Sequence, residues 1–509
     1  MFVKGVQKQK NTFFLVVSIF LISSTIISLQ LLMQRFLSVA LSYHYVFIIV
    51  SIALFGISLG GFIGYLINDY LKKYCSIIVL IFAAFLFYFF VSSAYIFATY
   101  IYNASTIQLN IFVFSGIFIF PFIAGGFYTA RLFYSFPEMC GQLYGTDLTG
   151  AAFGCIGIIY LLNRVDLGNA LFVVCAPPLA LLTIWVFRHF AQETKRNLLL
   201  GFGVLAGCAI IAGFQLLNVP EISSGKNSGK EVYDALNTFN GKILESKDSA
   251  QGRVDLIKFA EYPELMDIYV DGTAGMPMYR FNGSFADPNP EVVSLQSEFP
   301  GYFPLAQIED HAKEDALIIG PGGGRDILLA RMAGFHNITV VEVNPEIVNI
   351  VEKYASFNGN IFNQPGVDLQ IGEGRSFLRA DKQKYDLILF SLPVTNTSQG
   401  IGSFALTENY LYTTEAIGEY LDHLRDDGYL VLITHNDLEV LRLLIITLSS
   451  FREKELSNAE AMKHLYVLGS KDYPVLVVGK QKINKENAKV ILKAAFNQPW
   501  FIPGSSYFP

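Results

Sequence analysis

Charged residues are scarce in this chain. They make up 16% of its 509 residues, whereas hydrophobic residues make up 52%. Soluble proteins contain about a quarter charged residues, so this composition indicates that part of the chain lies in lipid. The formal net charge is −6, and no basic stripe of the kind that binds nucleic acid is present. We therefore expect no nucleic-acid partner.

Cysteine is absent after Cys208, which excludes thiol chemistry from the C-terminal half of the chain. The spacing of the cysteines fits neither a zinc site nor a redox CxxC pair. We interpret them as small apolar residues that pack between helices, and we expect no metal site. The five residues are Cys75, Cys140, Cys155, Cys175 and Cys208.

Long apolar runs are confined to residues 1–218. Seven of them approach the length of about 20 residues that spans a bilayer. Three glycines spaced four apart, Gly56, Gly60 and Gly64, predict close contact between helices. The sequence therefore predicts a multi-pass α-helical membrane domain at 1–218, with the lipid bilayer as its partner. The runs are 12–34, 43–67, 76–101, 107–134, 147–163, 168–188 and 197–218.

The remainder of the chain has the composition of soluble segments. Residues 219–240 are rich in Gly, Ser and Lys, as linkers are. Residues 241–300 contain short β-type runs and predict a small β-unit with a connecting loop. In residues 301–509, strands alternate with helices. That alternation predicts an open parallel sheet with helices on both faces, a doubly wound, Rossmann-like α/β domain of the methyltransferase type.

A glycine-rich turn follows the first strand of this domain, in "LIIGPGGGRD" at 317–326. Such a turn before a helix presents free backbone N–H groups and the positive end of the helix to a ligand. Dinucleotide, nucleoside and phosphate sites all use it. The candidate binding residues are Gly320, Gly322, Gly323 and Gly324.

Two acidic residues narrow the choice of ligand. Glu342 ends the second strand, twenty residues after Gly322, where a carboxylate binds ribose hydroxyls. Glu373, followed by Gly374, ends the third strand, where an acid accepts a hydrogen bond from an adenine amino group. Together with the glycine turn they predict a nucleoside site. An NAD-linked oxidoreductase is disfavoured, because Glu373 and the β-unit fit it poorly.

The motifs resemble those of spermidine/spermine synthases and their membrane-fused relatives over about 241–450. The resemblance rests on "ALIIGPGGGRDILLARMAG", "ITVVEVNPEIV", "LQIGEGRSFL" and "YDLILFSLP". It implies that the donor substrate is S-adenosylmethionine or decarboxylated S-adenosylmethionine. It also implies that the glycine turn lies along the sulfonium–ribose side of the donor, with Glu342 at the ribose and Glu373 at the adenine.

The chain departs from that family where the acceptor would bind. Ser391 and Val394 stand at the positions of the two acids in the family's D-x-x-D-P segment, and Gly323 replaces the acid of its GGGDG motif. A polyamine cation needs carboxylates to replace its water, and a serine hydroxyl is a poor base. We therefore expect a small-molecule acceptor other than an ordinary polyamine. The candidate catalytic residues are Ser391, Asn396 and His435.

The leading hypothesis is a membrane-anchored methyl- or aminopropyl-transferase that uses an S-adenosyl donor. The alternative is a non-catalytic nucleoside-sensing membrane protein that kept the binding residues and lost the catalytic acids. The sequence leaves open whether the protein forms a homo-oligomer.

Two observations disagree about the side of the membrane on which the C-terminal half lies. Nine Lys and Arg residues against two favour a cytoplasmic N-terminus, and seven spans would then export the C-terminal half. An S-adenosyl donor is held in the cytosol, so we favour a cytoplasmic domain, with the extracytoplasmic side as the alternative. The segment 147–163 is the shortest, and we expect it to be re-entrant or to lie at the surface.

Overall fold

The computed structural model describes residues 2–40, 46–74, 76–104, 111–165, 167–190, 229–392 and 410–509. Two compact units are formed, Met1–Tyr233 with Lys247–Arg253, and Asp234–Ser246 with Val254–Pro509. The predicted linker is partly helical, since Glu231–Asn237 is an α-helix. Its residues 219–228 lie outside the described part.

The first unit is helical. Six of its helices are long and apolar enough to cross a membrane, because each offers about the 18–20 apolar residues that a bilayer requires. The seventh predicted segment, 197–218, falls outside the described residues. The long helices are Phe2–Ala40, Val46–Leu66, Ser76–Ala104, Ile111–Ser135, Cys140–Leu162 and Leu167–Phe190, and a short helix is Asn68–Leu71.

The fifth long helix differs from its prediction. It begins at Cys140 rather than near Asp147, and the apolar stretch Pro137–Leu162 comprises 26 residues. The segment is therefore longer than the sequence predicted, and its re-entrant or surface placement stays a prediction. Asp147 lies inside the helix, where its carboxylate accepts a hydrogen bond from the Ser23 hydroxyl. A polar partner of this kind lowers the cost of placing an acid among apolar helices.

Glycines allow the helices of this unit to touch backbone to backbone, as the sequence predicts. A Cβ atom on Gly60 would lie 2.0 Å from the carbonyl oxygen of Ile123, and one on Gly126 would lie 2.1 Å from that of Ile57. Gly150 meets the carbonyl oxygen of Phe20 at 2.3 Å in the same way. Such contacts gain dispersion energy along the whole interface.

The second unit begins with the predicted β-unit, a four-stranded sheet in the order β1-β2-β3-β4. The neighbouring strands β2, β3 and β4 are antiparallel. Met266, Ile268 and Met278 face the core of the unit. The strands are β1 (Gly241–Asp248), β2 (Arg253–Phe259), β3 (Leu265–Val270) and β4 (Thr273–Tyr279).

The main sheet has seven strands in the order β10-β11-β9-β8-β5-β6-β7. The five strands from β5 to β9 are parallel, as the sequence predicts. The sheet as a whole is mixed, because β11 is antiparallel to both β9 and β10, so the expected parallel arrangement holds for β5 to β9 and not for the whole sheet. The strands are β5 (Asp315–Ile319), β6 (Asn337–Glu342), β7 (Val367–Ile371), β8 (Tyr385–Ser391), β9 (Leu424–Ile433), β10 (Leu465–Leu468) and β11 (Val475–Gly479).

Helices cover both faces of this sheet. Ala316 and Ile318 belong to the core on one face, and Leu317 and Ile319 belong to the core on the other. This alternation follows from the two-residue period of a strand, and it makes β5 apolar from Ala316 to Ile319. The α-helices of this unit, after Glu231–Asn237, are Pro290–Glu298, Tyr302–Gln307, Arg325–Met332, Pro345–Lys353, Ala355–Asn358, Gly374–Ala380, Thr414–His423, Asp437–Glu453, Asn458–Ala461 and Lys485–Ala495.

The glycine contacts between helices make a testable prediction. Gly60→Ala should lower the thermal stability of the purified protein in detergent, because the methyl group would force two backbones apart, at a cost of about 1–3 kcal/mol. Gly61→Ala is the matched control, since its Cβ would meet only Ala130 Cβ, at 3.9 Å. Equal melting temperatures for the two variants would contradict the assignment.

Candidate functional site

The candidate site lies where the order of strands reverses. From β5 the chain proceeds outward to β6 and β7, then crosses to β8 on the other side of β5 and continues to β9. The strand order therefore reverses beside β5, and in an open α/β sheet such a switch point forms a crevice at the carboxyl ends of the strands. Ligands of open α/β sheets bind in such a crevice.

The glycine turn after β5 has the left-handed backbone that only glycine adopts without strain. The φ angles of Gly320, Gly322 and Gly324 are +74°, +52° and +93°. Gly324 is the N-cap of the helix Arg325–Met332 and supplies no side chain to cap it. Gly324 N and Ile327 N already donate to the carbonyl oxygens of Pro321 and Gly324, so the N–H groups of Arg325 and Asp326 are the ones that the described residues leave for a ligand.

At most of these glycines, an added Cβ would meet other atoms of the protein. A Cβ on Gly322 would lie 2.9 Å from Met276 Sδ, and one on Gly323 would lie 2.3 Å from the Pro277 carbonyl oxygen. Gly374 likewise faces Ile319 Cγ2, at 2.4 Å. Only Gly320 among the predicted glycines faces open space. Close approach of β4 therefore explains Gly322 and Gly323 without reference to a ligand.

Glu342, at the end of β6, is buried, with 3% of its surface exposed. Its carboxylate accepts a hydrogen bond from Asn344 N at 3.0 Å. Burial raises its pKa above the ordinary value, and the N–H groups of Asn344, Gly322 and Val343 oppose that shift. The geometry thus brings the predicted ribose-binding acid against the glycine turn.

Glu373 is exposed and acts as the N-cap of the helix Gly374–Ala380. It accepts hydrogen bonds from Arg375 N at 3.0 Å and from Ser376 N at 2.8 Å. Partial burial raises its pKa, but the bonds from Arg375 and Ser376 outweigh this effect and lower it. Oε2 also accepts a hydrogen bond from the Ser376 hydroxyl at 2.7 Å, so Oε1 is the oxygen that retains a lone pair for a further donor.

Ser391, the last residue of β8, is held between two charged side chains. Arg325 Nη2 donates to its Oγ at 2.9 Å, and its own hydroxyl bonds to Asp326. Asp326 is buried, which raises its pKa, although Arg325 and Ser391 counteract the shift. The serine hydroxyl is therefore already hydrogen-bonded to charged side chains.

His435 follows β9 at the same edge of the sheet. Its Nδ1 lies 3.2 Å from Glu439 Oε2, and its backbone N donates to the same oxygen at 3.0 Å. Partial burial raises the pKa of Glu439, but the contacts with His435 outweigh it and lower the pKa. A histidine oriented by a carboxylate has the arrangement of a general base. The third catalytic candidate, Asn396, lies outside the described residues.

Aromatic side chains from other elements border Arg325, and the sequence analysis did not find them. Its guanidinium lies over the Phe299 ring, 4.0 Å from the centroid. Its charge also reaches the hydroxyl of Tyr279, at the end of β4. Neither residue belongs to a motif, and only the fold brings them to the crevice.

A separate network positions the helix that Glu373 caps. Arg375 forms a bidentate pair with Glu419, with Nε–Oε2 and Nη2–Oε1 distances of 2.8 and 2.9 Å. Arg379 contacts the same carboxylate, and the bonds from both arginines lower the pKa of Glu419 to about 2. This network fixes Glu373 relative to the helix Thr414–His423.

A cavity of about 440 Å³ lies elsewhere in the unit. Its lining includes Glu309, His311, Asp427 and Tyr429, which precede β5 or lie in the first half of β9. It therefore opens at the edge of the sheet opposite the glycine turn, and we do not assign it to the crevice.

Comparison with known proteins points to one family. Residues 302–479 match the spermine/spermidine synthase domain family. The match begins before β5 and ends with β11, so it includes the glycine turn, Glu342, Glu373, Ser391 and His435. This part of the chain is therefore spermidine/spermine synthase-like.

Individual relatives are distant. A polyamine aminopropyltransferase of Lachnoclostridium phytofermentans is 31% identical over 118 residues, which cover 23% of this chain and 38% of the relative. A spermine synthase of Arabidopsis thaliana is 23% identical over 200 residues, which cover 39% of this chain and 52% of the relative. The chain thus spans less than two thirds of the length of these relatives.

Solved structures of the same family also match. A spermidine synthase in complex with the transition-state analogue AdoDATO is 15% identical, with a TM-score of 0.35, and the match covers 52% of this chain and 85% of that one. The Thermotoga maritima spermidine synthase is 14% identical, with the same TM-score and coverage.

The buried acid gives the prediction for this site. Glu342→Ala should weaken binding of an S-adenosyl donor by about 1–3 kcal/mol, since polar groups of the ligand would be left unpaired. Because the pKa of Glu342 is raised above 4.5, wild-type binding should strengthen as the pH rises through that pKa and the carboxylate ionises. Calorimetric titration measures both effects. Glu352→Ala, at an exposed position, is the control. An unchanged dissociation constant in a folded Glu342→Ala variant would show that Glu342 does not bind the ribose.

Proposed function

We propose that the protein is a membrane-anchored transferase, similar to spermidine synthases, that uses S-adenosylmethionine or decarboxylated S-adenosylmethionine as donor. The observation that carries the proposal is the buried Glu342 carboxylate, which faces the N–H of Gly322 at the reversal of strand order. A carboxylate in that position accepts hydrogen bonds from both hydroxyls of a ribose. The relatives named aminopropyltransferases support the choice of a transferase.

Glu373 completes the proposed nucleoside site. It follows β7, the strand next to β6, so it lies at the same edge as Glu342. Its two oxygens already accept hydrogen bonds from Arg375 and Ser376 of their own helix, which fixes their direction and leaves a lone pair on Oε1 for the adenine amino group. The glycine turn then borders the sulfonium side of the donor.

The reaction needs a proton acceptor for the attacking group. In the proposed step, the nucleophile of the acceptor bonds to a carbon attached to the sulfonium, and the electrons of the broken C–S bond neutralise the sulfur. The nucleophile loses a proton, which we assign to Nε2 of His435. Glu439 binds the opposite ring nitrogen and stabilises the imidazolium that forms.

The acceptor is, in our proposal, not an ordinary polyamine. Ser391 replaces an acid of the family's acceptor segment and bonds to Arg325. A guanidinium at this position repels an ammonium group, whereas a carboxylate would attract it.

The alternative function, a nucleoside sensor without catalysis, is favoured by one observation: the hydroxyl of Ser391 is occupied by Arg325 and Asp326. Incubation with a donor labelled in its transferable groups, followed by separation of products, discriminates the two functions. A sensor binds the donor and returns it unchanged.

We place the second unit in the cytosol. Six described helices are suited to cross a membrane, and an even number of spans returns the chain to the side of its N-terminus. The nine Lys and Arg residues on the N-terminal side then stay cytosolic, as the positive-inside rule requires. This arrangement holds if 197–218 does not span the bilayer.

Polyamine synthesis provides a direct test of the acceptor. The purified full-length protein should form little or no spermidine from putrescine and decarboxylated S-adenosylmethionine, because the acids that would bind the diamine are replaced. Chromatography of the products measures it, with a spermidine synthase assayed in parallel. Turnover of about 1 per second or more, a rate typical of enzymes, would show that other carboxylates bind the diamine.

The side of the membrane is tested with reporters fused after Pro509. A fluorescent reporter that matures only in the cytosol should be active, and alkaline phosphatase, which needs an oxidising compartment, should be inactive. The reverse pattern would place the site away from its donor and contradict the proposed transferase.

A further inference from the structure

Arg325 is fixed at the crevice by its position in a helix and by two side-chain contacts. It is the first residue of the helix that follows the glycine turn. Its Nη2 donates to Ser391 Oγ at 2.9 Å, and its guanidinium stacks on Phe299. Its side chain is 11% exposed. A guanidinium held in one place and partly removed from water is suited to bind an anion, because little of its freedom remains to be lost.

The guanidinium of Arg325 has an N–H donor group that no described residue uses. Arg325 Nε lies 3.4 Å from Asp326 Oδ1, so its bonds to the described residues use Nε and Nη2. Nη1 has no acceptor among those residues. The Nη1 and Nη2 edge of a guanidinium is the fork that matches the two oxygens of a carboxylate.

An α-amino acid group carries a carboxylate beside its ammonium, and the fork of Arg325 fits that carboxylate. An isolated ammonium offers the guanidinium no acceptor and repels its charge.

We propose that Arg325 binds the carboxylate of the donor's α-amino acid group, so that the donor is S-adenosylmethionine rather than its decarboxylated form. The proposal rests on the proposed function, since it requires the donor in this crevice. Arg325 follows Gly322 by three residues, which span at most about 10 Å, and Gly322 adjoins the ribose-binding Glu342. The tail of a donor held at the ribose thus reaches Arg325.

The proposal also changes the group that is transferred. Decarboxylated S-adenosylmethionine supplies an aminopropyl group, whereas S-adenosylmethionine supplies a methyl or an aminocarboxypropyl group. In each case the C–S bond breaks towards sulfur, the acceptor nucleophile gains the carbon, and its proton leaves to the base. No further reactant is needed.

The two donor forms differ only in the carboxylate and are therefore matched probes. Calorimetric titration of the full-length protein in detergent should show that S-adenosylmethionine binds at least about tenfold more tightly than its decarboxylated form, as expected for a charge-assisted pair. Arg325→Gln should abolish this preference, and Arg325→Lys, which keeps the charge, should retain part of it. Arg280→Gln is the control, because exposed Arg280 also lies over a phenyl ring, that of Phe357, and should leave the preference unchanged.

The possible results test the role of Arg325 and the transferase function separately. Tighter binding of the decarboxylated form, or an equal loss of affinity for both forms in Arg325→Gln, overturns the role of Arg325 and leaves the transferase intact. Failure of both forms to bind the wild-type protein overturns the proposed function itself. Circular dichroism establishes that each variant is folded, and the lysine variant keeps the test informative if the glutamine variant does not fold.

Discussion

The backbone of β4 lies so close to the glycine turn that no side chain fits between them. A Cβ on Gly323 would be 2.3 Å from the Pro277 carbonyl oxygen, well inside van der Waals contact. This one approach explains why the acid of the related motif is absent, since an aspartate at 323 would require the β-unit to move away. It also joins the four-stranded sheet to the first residues of the helix Arg325–Met332, and so brings Tyr279 towards Arg325.

Two carboxylates are buried beside this turn, and their environments differ. Glu342 is surrounded by backbone N–H groups, which stabilise an anion without adding a positive charge. Asp326 is compensated by an arginine and a serine. Burial of an ionised group costs several kcal/mol unless it is paired, so such groups persist where the fold supplies donors. Donors that belong to a ribose would add to those of Glu342, whereas Asp326 already has its partners. The two acids thus differ in the donors that compensate them, backbone N–H groups for Glu342 and side chains for Asp326.

Local patterns in the sequence predicted much of the second unit. Glu342 is the last residue of β6 and Glu373 lies two residues after β7, close to the strand ends that the sequence predicts, because a buried parallel strand is a continuous apolar run ended by polar residues. The antiparallel strands β10 and β11 were missed, since their pairing joins segments whose order in the sheet no local pattern encodes. The contacts of Gly323 with Pro277 and of Arg325 with Phe299 are also long-range. The helix start at Cys140 was missed because polar residues precede Leu148, while packing rather than hydropathy extends the helix.

The side chain of Ser391 contacts Arg325 and Asp326, and these contacts decide what a substitution at 391 would do. Sequence reasoning treats it as an acid that was lost, and an aspartate there looks like a simple way to regain a polyamine site. In the folded protein its hydroxyl serves the buried carboxylate of Asp326 and accepts a bond from Arg325. An aspartate at 391 would put two carboxylates within hydrogen-bond distance, and one of them would have to hold a proton. The extra acid would then add little negative charge for an ammonium group. Arg325, Asp326 and Ser391 therefore form one unit, in which the effect of a substitution at 391 depends on the other two residues.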